Sequence, residues 1–149
     1  MTYLHQTSGL PDPHYDGQFY AGVIPKRAIA WLLDVVAITA LTFLAGILTL
    51  TLAWWLWPLA YLTIGLIYRI GTLAGGSATP AMRLMGIELR GHDGQRLDGM
   101  QAALHVIGYY ATMAFVLPML ATLISVFVTD RRQSLTDLVL GTAAINRPG

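Results

Sequence analysis

The stretch Pro25-Lys26-Arg27-Ala28-Ile29-Ala30-Trp31-Leu32-Leu33-Asp34, followed by the uncharged run from Val35 to Leu50, decides how this chain is read. It sets an arginine at the entrance of a membrane helix and an aspartate inside it. A carboxylate in such a span costs roughly 2.5 to 3.5 kcal/mol even on the insertion scales that penalise it least, so it needs a partner or a use. Arg27 and Asp34 are nearly two helical turns apart, which puts both on one face, in line with Ala30, Trp31, Ile38, Leu41 and Ala45.

Outward from this stretch, Asp34 is the sole formally charged residue from Ala28 to Tyr68. That length is about twice the roughly 20 residues that cross a hydrocarbon core, so two helices in a hairpin are predicted, at about 27–49 and 55–73. The turn falls near Thr51 to Pro58, where Trp54, Trp55 and Trp57 suit an aromatic belt at the interface. Hairpin geometry then sets Asp34 opposite a residue between 64 and 76, and Arg69 lies in that window. An Asp34–Arg69 pair is expected, with Tyr68 close enough to hydrogen-bond. The turn carries no Lys or Arg, whereas Lys26, Arg27, Arg69, Arg83, Arg90 and Arg96 flank the other ends. The positive-inside rule therefore predicts a cytoplasmic N-terminus.

Composition agrees. The 149 residues are 55% hydrophobic and 11% charged, against about 25% charged in soluble domains, and this implies a membrane protein whose first partner is the lipid bilayer. A net charge of +1 from dispersed basic residues excludes nucleic acid as a partner. The absence of cysteine excludes disulfides and thiolate chemistry. Residues 1–22 read as a polar, irregular tail and linker, without the apolar core of a cleaved signal peptide.

Residues 74–104 read as a cytoplasmic connection. Gly71, Gly75, Gly76, Ser77, Thr79 and Pro80 mark it as flexible, Met85 to Arg90 alternates like a short strand, His92 to Gln95 forms a turn, and Asp98 caps the next helix. The third apolar segment, about 105–129, contains Pro118 and is predicted to kink or re-enter there. Residues 130–146 give a short helix stopped by Gly141 and a second strand, Thr142 to Ile145, that pairs with the strand of Ile87. The expected fold is an all-α integral membrane protein, with residues 23–149 as one domain. It comprises a transmembrane helical hairpin, a third bent or re-entrant segment and a short two-stranded cytoplasmic cap.

The arginine opening the first span, Asp34 one helical face away, the glycine-rich segment running into Thr79-Pro80-Ala81-Met82-Arg83-Leu84-Met85-Gly86-Ile87-Glu88-Leu89, and Arg131-Arg132-Gln133-Ser134-Leu135-Thr136-Asp137-Leu138-Val139-Leu140-Gly141-Thr142 together resemble the RDD family of small bacterial membrane proteins. The family is named for one arginine and two aspartates, which match Arg27, Asp34 and Asp137. The chain departs from its pattern where Ala81-Met82-Arg83 stands for Gly-Lys-Arg and where Thr136-Asp137 stands for His-Asp. The resemblance implies a multi-span protein of the bacterial cytoplasmic membrane, of unassigned role, with ion or ligand transport commonly suggested.

No catalytic constellation stands at a workable spacing, so no enzyme is expected. No cofactor or metal is expected either. His5, His14 and His92 are not spaced as ligands, and Gly75-Gly76 lacks the lysine and hydroxyl of a phosphate loop. His105 reads as a packed side chain. Three short segments without an internal repeat hardly enclose a substrate path. The favoured reading is an accessory or assembly subunit of a larger membrane complex, with Arg27, Asp34, Asp137 and Arg69 as a structural charge cluster. The alternative is transport of a cation, proton or small ligand by a homo-oligomer in which Asp34 titrates.

Overall fold

The computed structural model describes residues 9–147. Residues 1–8 of the expected tail, His5 among them, and residues 148–149 lie outside these. Helix α1 spans Val23–Leu48 and helix α3 Trp57–Gly76, joined by the single turn α2, Leu52–Trp55. Their 26 and 20 residues give lengths of about 39 and 30 Å at 1.5 Å per residue, and both are apolar enough to cross a membrane. Pro25 sits in the first turn of α1 and Pro58 in that of α3, where a missing N–H costs nothing.

The buried stripe of α1 is Ala30, Asp34, Ile38, Thr42 and Gly46, while Trp31 and Leu41 are exposed. The face expected through Leu41 is thus corrected. Beyond Ile38 the buried stripe runs through Thr42 and Gly46 rather than Leu41 and Ala45, because the small residues Ala30, Thr42 and Gly46 let neighbouring elements approach there. The connection between α1 and α3 is tight. Leu50 and Thr51 adopt φ of 53° and 75°, held by the Thr51 N–H donating to the Gly46 carbonyl at 2.7 Å.

Three expectations for residues 71 to 129 need correction. Gly71, Gly75 and Gly76 are not a flexible connection; they complete α3, which stops at Ser77 in a left-handed C-cap with φ of 56°. Next, Thr79 and Pro80 are not part of a flexible connection either; they open a helix. The Thr79 side chain caps the short helix α4, Pro80–Leu84, which packs on α1. Finally, the third segment breaks at Ala114–Phe115 and not at Pro118. It forms α5, Gly99–Met113, and α6, Val116–Val128, bent by 115°. Pro118 provides the reason. It has no N–H for the carbonyl four residues back and its ring clashes with it, so the helix ends at that point and the proline settles into the first turn of α6. With that bend the segment is no straight span, and the next helix touches both of its arms.

That helix, α7, spans Leu135–Leu140 and ends at Gly141, whose φ of 72° is the left-handed stop predicted for it. Strands β1, Ile87–Arg90, and β2, Ala143–Asn146, pair antiparallel with Glu88 opposite Ile145 and Leu89 opposite Ala144. One sheet face, with Ile87, Leu89 and Ala144, joins Val23, Ala30, Leu73, Ala81, Leu97, Ala102 and Val106 in the main core. The other is covered by residues 9–20: Leu10 and Tyr20 are buried on Ala143 and Ile145, and the Tyr20 hydroxyl donates to the Pro11 carbonyl at 2.8 Å. The described part of the expected linker is therefore a packed strap.

Candidate functional site

Among the described residues, the ion pairs gather in three separate foci. In the first, Ser134-Leu135-Thr136-Asp137 is a capping box: the Asp137 N–H donates to Ser134 Oγ at 3.2 Å, and the Ser134 N–H returns to Asp137 Oδ2 at 3.0 Å. That exchange aims a carboxylate with 0% exposure into the gap between α1 and α5. Arg27 reaches Oδ2 at 2.7 Å, His105 Nε2 reaches Oδ1 at 2.9 Å, and the Thr142 hydroxyl donates to Oδ1 at 2.7 Å. Each carboxylate oxygen thus has two partners. Arg27 also donates to the Arg132 carbonyl at 3.1 Å. Burial raises the Asp137 pKa, but Arg27, His105 and the Ser134 N–H outweigh it, holding the carboxyl well below the usual carboxylate range.

The second focus lies inside the hairpin. Asp34, 2% exposed, accepts from the Tyr68 hydroxyl at 2.9 Å and from the Thr79 hydroxyl at 2.8 Å, while Arg69 stands 3.8 Å away. Arg69 is held chiefly by aromatic rings. Its guanidinium carbon lies 4.5 Å over the Tyr109 ring, whose hydroxyl accepts from Trp31 Nε1 at 2.6 Å, and its buried Nε has no hydrogen-bond partner.

Arg27, Asp34, Asp137 and Arg69 therefore divide into two pairs, Arg27 with Asp137 and Asp34 with Arg69. Asp34 and Arg27 share a helix face, but seven residues separate them by about 10 Å along it, so different elements meet them. His105, expected to be merely packed, is a direct partner of Asp137. Thr79 and Thr142 were also missed in the sequence; the Thr-Pro start of α4 and the Ser-x-x-Asp box of α7 are the signals that point to them.

A third focus had no sequence signal. Glu88 on β1 is 1% exposed. Arg90 donates to its Oε1 through Nε at 2.7 Å and through a terminal nitrogen, while Arg147 and Arg96 approach Oε2 at 3.5 and 4.0 Å. Among the described residues, no three His, Cys, Asp or Glu side chains gather to hold a metal ion.

The model of the RDD family matches residues 20–141, a stretch that contains Arg27, Asp34 and Asp137. No curated protein and no solved structure matches the chain. The departures from the family pattern have visible consequences. Met82 packs against the main core where a lysine is usual. Thr136 lies against Gly108, where an added Cβ would fall 2.7 Å from its methyl carbon, and the imidazole beside Asp137 comes from His105. With the match running through most of its length and through all three signature residues, the chain belongs to the RDD family.

Proposed function

We propose that this RDD protein is a non-enzymatic accessory or assembly subunit of a larger complex in the bacterial cytoplasmic membrane. In this reading the N-terminus and the two-stranded sheet are cytoplasmic, and Arg27–Asp137 and Asp34–Arg69 hold the domain together. The observation that carries it is the state of Asp137: both oxygens are fully engaged and the group is wholly buried, which leaves nothing for a ligand to bind. Neither the groove between residues 12–14 and 128–133 nor the one between α5 and α7 is lined by Asp34 or Asp137. The second groove, about 310 Å³, is bordered by Leu104, Ile107, Ala111, Leu135, Val139 and Leu140, and it suits an apolar helix of a partner subunit.

Gentle-detergent purification of the tagged chain, with mass spectrometry of what accompanies it, tests this reading. Stoichiometric recovery of a foreign membrane subunit is expected. A clean homo-oligomer overturns it.

One observation favours transport of a cation, proton or small ligand by a homo-oligomer. Asp34 has its cation at 3.8 Å rather than in hydrogen-bond range, and Arg69 Nε is unpartnered. Asp34→Asn separates the readings: a structural carboxylate loses protein abundance on substitution, whereas a transport site keeps its abundance and loses a proton-coupled signal in liposomes.

A further inference from the structure

Glu88 holds one negative charge, and three guanidinium groups converge on it. Only Arg90 is spent there, since its Nε and a terminal nitrogen serve Glu88 and its other terminal nitrogen donates to the Gly94 carbonyl at 3.2 Å. Arg96 and Arg147 stand at 4.0 and 3.5 Å from Oε2, and their side chains are 59% and 40% exposed. Glu88 therefore gathers two more cations than it neutralises. The focus is a positive patch anchored on a buried carboxylate, not a closed ion pair.

Its place in the fold is specific. Asn146 precedes Arg147 and its side-chain oxygen accepts from Lys26 Nζ at 2.6 Å, in the first turn of the spanning helix α1. Arg96 stands two residues before Asp98, the cap of α5. The patch thus lies at the end of the bundle where α1 starts, α3 stops and α5 starts. Leu84, which ends α4, and Met100, in the first turn of α5, are largely exposed apolar side chains that flank it in the chain. Cations and exposed apolar side chains that lie near one another in the chain at helix ends match the chemistry of an anionic lipid: phosphate oxygens outside, acyl chain inside. A guanidinium offers a phosphate two parallel N–H groups, and these two have donors to give.

We propose that Arg96 and Arg147 form a binding site for the phosphate of an anionic phospholipid headgroup, with Glu88 and Arg90 holding the pair in position. The test uses the full chain in mild detergent, with native mass spectrometry following titration by phosphatidylglycerol and by phosphatidylcholine. The wild type is expected to retain phosphatidylglycerol preferentially, and the Arg96→Gln/Arg147→Gln variant to lose that preference by about tenfold, given the attraction each cation supplies at a lipid surface. Arg96→Lys/Arg147→Lys should keep most of it, and each single glutamine variant should show part of the loss, which leaves a readout if the double variant fails to fold. Arg132→Gln, at the same end but outside the patch, should change nothing. Three results overturn the proposal: full preference in the double glutamine variant, an equal loss in Arg132→Gln, or displacement of the lipid by excess inorganic phosphate, which would make the ligand a soluble phosphate.

Discussion

Arg27 and Asp137 stand 110 positions apart in the chain and meet at 2.7 Å, tying the entrance of α1 to the first turn of α7. Removing one member of a buried pair leaves the other charge uncompensated, at a typical cost of roughly 3 to 5 kcal/mol. Arg27 keeps some solvent contact, so Asp137→Asn should cost about 2 to 4 kcal/mol. The thermal midpoint in detergent reads this loss. Because most of that cost is the orphaned charge, Arg27→Met combined with Asp137→Asn, which keeps an acceptor for Ser134, His105 and Thr142, should be less damaging than Asp137→Asn alone. A double variant worse than either single would show that the ionic bond itself stabilises the fold.

The same carboxylate predicts a pH dependence. Its folded-state pKa is depressed from the ordinary value of 3.8, so the unfolded chain binds the proton more readily than the folded one. Its contribution is therefore fully present above the ordinary value and is lost as pH falls below about 4. The measurement is best made in a His105→Gln background, which removes the neighbouring imidazole. There, the difference in thermal midpoint between the chain that keeps Asp137 and the chain that also carries Asp137→Asn should stay constant from about pH 7 to 5 and narrow below about 4. A difference that closes between pH 7 and 5 would contradict a depressed pKa.

Thr79 has two tasks, since its Oγ accepts from the Met82 N–H to cap α4 and its hydroxyl donates to Asp34. Tyr68 has only the second kind, one hydroxyl to Asp34. Thr79→Val should therefore cost more, about 2 kcal/mol, than Tyr68→Phe, about 1 kcal/mol. The double variant should exceed the sum of the two, because Asp34 then keeps only the distant Arg69. Strict additivity in chemical or thermal unfolding would mean that the two hydroxyls do not share the carboxylate.

The hairpin and the Asp34–Arg69 contact are legible in the sequence because helix length and bilayer thickness fix which positions face each other. Arg27 and Asp137 are grouped only by family resemblance, since no spacing rule connects residues so distant. His105 and Asp137 lie 32 positions apart, and their contact depends on the bend at Ala114–Phe115 and on α7 folding back against α5. Glu88 is illegible for another reason. Alternation along a strand gives the two faces of β1, but the outer face is buried by residues 9–20, which carry no helical or strand period. The break before Pro118 and the helix after Thr79 were readable, as the proline clash and the Thr-Pro start are both local.

Gly46 supports the turn between α1 and α3 through its missing side chain. A Cβ there would lie 1.7 Å from Trp54 Nε1, so Gly46→Ala must expel the indole. Expulsion breaks the bond from Trp54 Nε1 to the Phe43 carbonyl at 3.1 Å and the ring contact with Phe43 at 5.1 Å. Alanine is the better helix former by about 1 kcal/mol, while overpacking of this kind costs about 1 to 3 kcal/mol, so net destabilisation of up to about 2 kcal/mol is expected. Trp54→Ala vacates the space, and in that background Gly46→Ala should become neutral or stabilising. Thermal midpoints of the four proteins decide it: if Gly46→Ala stabilises the chain while Trp54 is still present, the indole does not pack on Gly46.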